Sequence, residues 1–381
     1  MKLCLSSRTL AALCSHVLAL GLCLPIAATA QIRIGQTTGL TGPVEASVNE
    51  INMGARLLID AVNKRGGVSG QQIELVSLDD NFQVPKAVEN ARKLISDPSI
   101  VGLFLNRGTP HAQALMPLLM EGRMPLLAPS TGAAVLHAPV HPYIFNVRAT
   151  YQLEAERVVQ HLGMGGLEHV GVLYVADSFG EDAVQGATRV FRLAGKTPAF
   201  VLPIDRTKPD YKLAVERILA TKPLGVLIIG APTSVAAGVA ALRAAGSSVT
   251  VATLSNNAAK GFVTALGWHA KGVIVGQAFP SERRLAIPMI AEASRLASAA
   301  DVKLLTPAMI EGFAGAKVLV EALRRAARER GGVTRGSLHA ALESFDEVDI
   351  GGMKVSYSTT DHTGLKFTDL SIIDGDGNFR R

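Results

Sequence analysis

The feature that most constrains this chain is a rhythm. Short apolar runs alternate with helix-period segments nearly to the C-terminus. IVGLFL (100–105) and VLII (226–229) are apolar at consecutive positions, so both faces of such a strand must be buried. Burial on both faces requires helices above and below the sheet, and the intervening segments supply them. Residues 50–64 place Ile51, Ala55, Leu58, Ile59 and Val62 on one helical face. Ser47 with Glu50 three residues later reads as a capping box at its start, and Gly66 as a left-handed C-cap. Pro85 opens a helix through Val88, Ala91, Leu94 and Ile95. Thr109 and Pro110 read as the N-cap and first residue of another helix, which Pro117 is expected to kink or stop. Strands are expected in 31–38, 71–80, 124–130, 169–177, 198–204, 225–231, 249–255 and 272–280. A long helical region spans 302–330, and strand-and-turn text follows from Gly351. The expected fold is α/β, with two doubly wound parallel-sheet lobes.

The first thirty residues bound the compartment. Lys2 and Arg8 precede an apolar run from Leu10 to Leu24, and Ala28-Thr29-Ala30 supplies small residues at the −3 and −1 positions. This reads as a cleavable secretory signal, cut after Ala30, so export from the cytoplasm is expected. Cys4, Cys14 and Cys23 all lie within it, so the remaining 351 residues have no cysteine for a disulfide or thiolate site. Without Lys2 and Arg8 the net charge falls from +6 to about +4. No long Lys/Arg run is present, and nucleic acid is not an expected partner.

The stretch NKRGGVSGQQIELVSLDDN (63–81) raises two chemical candidates, a phosphate loop and a carboxylate pair. Its glycines follow a helix rather than open one, whereas phosphate sites use the helix N-terminus. Asp79 and Asp80 are neighbours on a strand, so they point to opposite faces and cannot share a proton or a metal. No H-E-x-x-H occurs, and Gly67-Val68-Ser69-Gly70-Gln71 lacks the last glycine of a nucleophile elbow. No catalytic residue, metal ligand or cofactor is therefore expected.

Several stretches together carry a family resemblance: Leu40-Thr41-Gly42-Pro43, GARLLIDAVNKRGGVSGQQIELVSLDDNFQVPKAVENARKLI (54–95), MPLLAPSTGA (124–133), HPYIFNVRAT (141–150), VGVLYVADSFG (170–180) and GGMKVSYSTTDHTGLKFTDLSIIDGDG (351–377). The sequence resembles the leucine/isoleucine/valine-binding family of type I periplasmic binding proteins, which feed ABC importers. The resemblance implies two lobes joined by a three-segment hinge, with crossings near 147–151, 276–280 and 351–354. Lobe one is expected over 31–147 plus 280–352, and lobe two over 148–279 plus 353–381. It also implies a small-molecule solute held between the lobes, a membrane ABC permease as partner, and a monomer. Closure over the solute would then be a two-state change.

Open α/β sheets bind ligands at the carboxyl ends of their strands. In lobe one this selects Thr41 and Ser47, then Asn106, Arg107, Gly108 and Thr109, then Ser130, Thr131 and Gly132. The resemblance implies that the last two loops hold a ligand carboxylate, and helix N-termini favour an anion. Tyr151 at the first crossing, and Phe179, Ala231 and Asn256 in lobe two, complete the expected set. Compared with the amino-acid binders, Phe179 replaces a tyrosine and Ala231 or Pro232 an aromatic residue. No acid lies in 253–259, near the position of their ammonium-binding glutamate. Burying an ammonium without an anion costs several kcal/mol, so a free α-amino group is disfavoured unless Asp177 or Glu181 pairs with it. The expected ligand is an amino acid, carboxylate or amide. Two other readings share the chain: a sensor module of the same fold, and an exported α/β enzyme. Trp268, just before a crossing, is expected to report ligand by fluorescence.

Overall fold

The computed structural model describes residues 31–381; the expected signal segment lies outside the described residues. The first part of the chain runs β1 (Ile32–Thr38), α1 (Glu45–Lys64), β2 (Ile73–Asp79), α2 (Val84–Ser96), β3 (Ile100–Phe104), α3 (Thr109–Glu121), β4 (Leu126–Leu127) and β5 (Ile144–Phe145). Its five strands are parallel, in the order β2-β1-β3-β4-β5. There follow α4 (Tyr151–Leu162), β6 (Val170–Val175), α5 (Ser178–Leu193), β7 (Phe200–Ile204), α6 (Tyr211–Thr221), β8 (Gly225–Ile229), α7 (Pro232–Ala244), β9 (Thr250–Thr253), α8 (Lys260–Leu266) and β10 (Ile274–Gln277). Next come α9 (Pro288–Ala299), α10 (Pro307–Ala326) and α11 (Arg335–Glu343), then β11 (Val348–Asp349), β12 (Lys354–Val355), β13 (Asp369–Ile373) and β14 (Phe379–Arg380). The second sheet has the order β14-β13-β10-β9-β8-β6-β7. Its last two strands are antiparallel, so this sheet is mixed at one edge.

The apolar runs do what their pattern requires. Every residue of β3 and of β8 is buried. Along β8, Val226 and Ile228 join one core layer with Val239, while Leu227 and Ile229 join the other with Val159. On the first sheet, Phe104 and Phe145 face a core shared with Leu58, Ile290 and Phe313. Leu103 and Ile144 face the opposite layer with Leu94 and Leu115. The chain passes between the two sheets three times: at 146–150, at 278–287, and after Leu365, which is still packed in the first core.

Several local expectations need correction. Helix α1 begins at Glu45 rather than Glu50, and no capping box forms. The Ser47 hydroxyl donates to the Val44 carbonyl, and Glu50 is used elsewhere. The cap of α3 is Gly108, at φ +97°, and not Thr109. Pro117 does not stop α3, which continues to Glu121. Asp79 and Asp80 do face opposite ways. Asp79 is exposed and binds the Thr41 hydroxyl at 2.6 Å. Asp80 is buried and accepts from the Thr37 hydroxyl at 3.1 Å and the Phe82 N–H at 2.9 Å. Desolvation pushes the Asp80 carboxyl up to about 6.

Candidate functional site

The strands of both sheets end against a common cavity of about 330 Å³, measured with its open mouth. The first sheet contributes the turn after β3. Leu105, at φ +53°, and Gly108 bend the chain back so that Arg107 and Gly108 face the cavity ahead of α3. The turn after β4 runs beside it: Ser130 N–H donates to the Asn106 carbonyl at 2.7 Å. The Thr109 and Thr131 hydroxyls pair with each other at 2.7 Å. Gly132 lies where this turn meets the first crossing; its carbonyl accepts from Tyr151 N–H at 2.7 Å. A side chain there would meet the Ala149 carbonyl at 2.5 Å.

The second sheet contributes the turns after β6, β7, β8 and β9. Asp177 caps α5, its Oδ1 accepting from the N–H groups of Phe179 (3.0 Å) and Gly180 (3.3 Å). Its other oxygen pairs with the Arg206 guanidinium. Phe179 packs edge-on against Tyr151, ring centroids 4.8 Å apart. The Asn256 amide N–H donates to the Gly230 carbonyl at 2.9 Å, which holds the β8 and β9 turns together. Its Oδ1 is buried without a partner among the described residues.

The two sets of turns touch. Arg107 Nη2 donates to the Asn256 carbonyl at 2.9 Å, and Nη1 to the Ser130 hydroxyl at 2.8 Å. The Arg206 guanidinium lies 5.6 Å from the Phe82 ring centroid. Behind Arg107 the polar chain continues: the Ser130 hydroxyl donates to Glu311 Oε1 at 2.7 Å. Arg148 then bridges Glu311 at 3.3 Å and Glu154 at 2.6 Å. It also reaches the Ser255 hydroxyl, while Glu154 accepts from Ser255 N–H at 2.9 Å. Arg148 stacks over the Tyr151 ring at 4.7 Å. Desolvation raises the pKa of the Tyr151 phenol, which stays neutral. Burial pushes His111, stacked on Phe82 at 4.5 Å, down to about 4, so it brings no charge to this region at neutral pH.

Of the residues expected at the ligand, Arg107, Gly108, Thr109, Tyr151, Phe179, Ala231 and Asn256 line the cavity. Thr41, Ser47, Asn106, Ser130, Thr131 and Gly132 are not among the lining residues. Thr41 is tied to Asp79, Ser47 to Val44, and Asn106 to the Thr37 carbonyl at 3.4 Å. Ser130 and Thr131 support Arg107 and Thr109 from behind. Sequence reasoning missed Val44, Phe82 and Arg206, while Pro232 lines the cavity in the turn the sequence selected with Ala231. Arg206 follows the end of β7, so the strand-end rule could have found it. Phe82 owes its place to consecutive positive φ angles at Asn81 (48°) and Phe82 (54°), which no composition signal announces. Trp268 is 90% exposed, stacks on His269 and does not line the cavity.

A family model for periplasmic binding proteins matches residues 31–372. The chain is 28% identical to a substrate-binding periplasmic protein from Ralstonia solanacearum, over 92% of this chain and 99% of that one, with a TM-score of 0.82. It is likewise 28% identical to an extracellular ligand-binding receptor from Verminephrobacter eiseniae, over 92% of this chain and 100% of that one, with a TM-score of 0.81. The Leu/Ile/Val-binding protein BraC3 of Rhizobium johnstonii is 37% identical over 70 residues, which is 18% of this chain and 19% of that protein. The chain thus aligns with about a fifth of the length of the curated relatives it matches. With a match across nearly all its described residues and two sheets facing one cavity, the chain belongs to the periplasmic binding protein family and has its type I fold.

Proposed function

We propose that this protein is the periplasmic substrate-binding component of an ABC importer. It captures a small organic solute, of the amino acid, carboxylate or amide class, and closes over it. The observation that carries the reading is the Arg107–Asn256 hydrogen bond across the cavity. Turns from two separate sheets meet there around one cavity, and a solute touching both favours the closed arrangement. The lobes are 31–147 with 280–352, and 148–279 with 353–381, the last boundary falling more naturally after Leu365 given its packing in the first core. The residues proposed to touch the solute are Arg107, Gly108, Thr109, Tyr151, Phe179, Ala231 and Asn256, now joined by Val44, Phe82, Arg206 and Pro232. Thr41, Ser47, Asn106, Ser130, Thr131 and Gly132 act behind them, shaping the turns.

The chain is exported by the segment removed after Ala30, works as a monomer, and hands its solute unaltered to a membrane permease. At the cavity, the Thr109 hydroxyl is paired with Thr131 and His111 is held in a stack on Phe82, an arrangement that supports binding without reaction. The test is a thermal-shift screen of the mature chain with amino acids, carboxylates and amides. A true solute raises the melting temperature, because it binds only the folded state, and is recovered unchanged afterwards. Turnover of a bound solute would refute the proposal.

A further inference from the structure

We propose that the solute is a small carboxylate with a flat apolar body and no ammonium group. This rests on the reading of the cavity as a solute site and deepens it.

The charges facing the cavity carry the inference. Its ionisable lining groups of full charge are Arg107 and Arg206, and no carboxylate lines it. Arg107 is 4% exposed, and its described hydrogen bonds go to two neutral oxygens, Ser130 Oγ and the Asn256 carbonyl. A guanidinium has five N–H donors, so donors remain for an anion. Gly108 and the first turn of α3 add the positive end of a helix on the same side. A ligand carboxylate here meets a buried cation without a direct anionic partner.

The carboxylates nearby are already committed. Asp177 divides its two oxygens between Arg206 and the N–H groups that it caps. Glu154 is held by Arg148 and Ser255 N–H. Glu311 sits one hydroxyl behind Arg107, yet is shared by Ser130 and Arg148. Glu181 is exposed. An ammonium would have to leave water for a space beside the Arg107 guanidinium, with Asp177 already matched by Arg206 and the neutral Asn256 Oδ1 as an unfilled acceptor. The penalty for an unpaired buried charge is orders of magnitude in affinity. The remaining wall is apolar: Phe82, Tyr151 and Phe179 present rings, and Val44 and Pro232 close the gaps. Tyr151 and Phe179 touch each other edge-on at 4.8 Å, so a flat apolar body would pack against that pair and Phe82 rather than between the two rings.

Matched probes test the inference by calorimetric titration of the mature chain. Phenylacetate, phenylglycine and phenylacetamide share one body; the second adds an ammonium and the third removes the negative charge. Isovalerate and L-valine form the aliphatic pair. Phenylacetate is expected to bind about tenfold or more tighter than both phenylglycine and phenylacetamide, and tighter than isovalerate. Isovalerate is expected to exceed L-valine by a similar factor. Arg107→Gln removes the bond to Asn256 and so weakens both ligands, but it should weaken phenylacetate about tenfold or more beyond its effect on phenylacetamide, with the melting temperature of the free protein as the folding control. Tighter binding of phenylglycine or L-valine than of its ammonium-free partner would overturn the inference and leave solute binding standing. So would an amide matching the acid, or binding of sugars or polyamines alone. Isovalerate ahead of phenylacetate would overturn the flat body. Silence from every probe class would overturn both this inference and the reading beneath it.

Discussion

The Glu50 carboxylate accepts the backbone N–H groups of both Lys260 and Gly261, at 3.0 Å each. It therefore caps a helix of the second half from a helix packed on the first. Thr306 donates a third bond to it at 2.7 Å. Opening the cavity would break the first two and leave two helix-start donors to water. Glu50→Ala is expected to cost the closed form about 1–2 kcal/mol, read as a several-fold rise in the solute dissociation rate. Loss of global stability should be small by comparison, as judged by urea midpoints of the free protein.

Arg148 joins two buried acids on different elements, Glu154 of α4 and Glu311 of α10. Removing the cation leaves both without their partner in a water-poor site. Arg148→Met is expected to destabilise the protein by about 3–5 kcal/mol. Adding Glu154→Gln should restore part of that loss. Denaturant titration of the single and double variants checks the coupling, and strictly additive effects would count against a shared network.

Helices α1 and α10 approach closely because each offers a glycine to the other's backbone. A Cβ on Gly54 would run into the Met309 carbonyl, and one on Gly312 into the Ile51 carbonyl. Neither obstacle is the end of a flexible side chain. Gly312→Ala is expected to lower stability by about 1–3 kcal/mol, measured as a depressed melting temperature, with little change in solute specificity.

Acid should destabilise the protein through its buried histidines. His111 and His137 fall from 6.5 to about 4 on burial, so the folded state resists protonation that the unfolded chain accepts. Their stabilisation is present above pH 6.5 and is lost as pH falls from there toward 4. Asp80 acts in the opposite sense: raised by desolvation from 3.8 to about 6, it holds a proton in the folded state that the unfolded chain has released. Between about 6 and 4 the two histidines outweigh the one aspartate, and these three groups alone lower stability with falling pH by at most about 1.4 kcal/mol per unit. Asp80→Asn removes the opposing contribution and should steepen the decline. Urea midpoints from pH 7 to pH 4 measure both slopes.

The strands that frame the cavity were legible because burial on both faces leaves an unbroken apolar run, as in β3 and β8. Their ends then pointed to Arg107, Thr109, Phe179 and Asn256 as cavity residues without reference to contacts. What stayed hidden depends on distance in space. Glu50 reads as half of a local capping box, but its partners lie 210 and 211 residues away. Arg148 drew no expectation of its own, because its partner Glu311 lies 163 residues on. Asp177 stood as a possible partner for an ammonium, and only the approach of Arg206 from the end of β7 shows that its charge is already matched.

The central claim is mechanical: two halves shut over a solute that bridges Arg107 and Asn256. Small-angle X-ray scattering of the mature chain, with and without a solute proven by calorimetry, tests it most directly. The expected result is a larger radius of gyration for the free chain, with the solute-bound profile matching the present arrangement. Identical profiles in the two conditions would contradict the account.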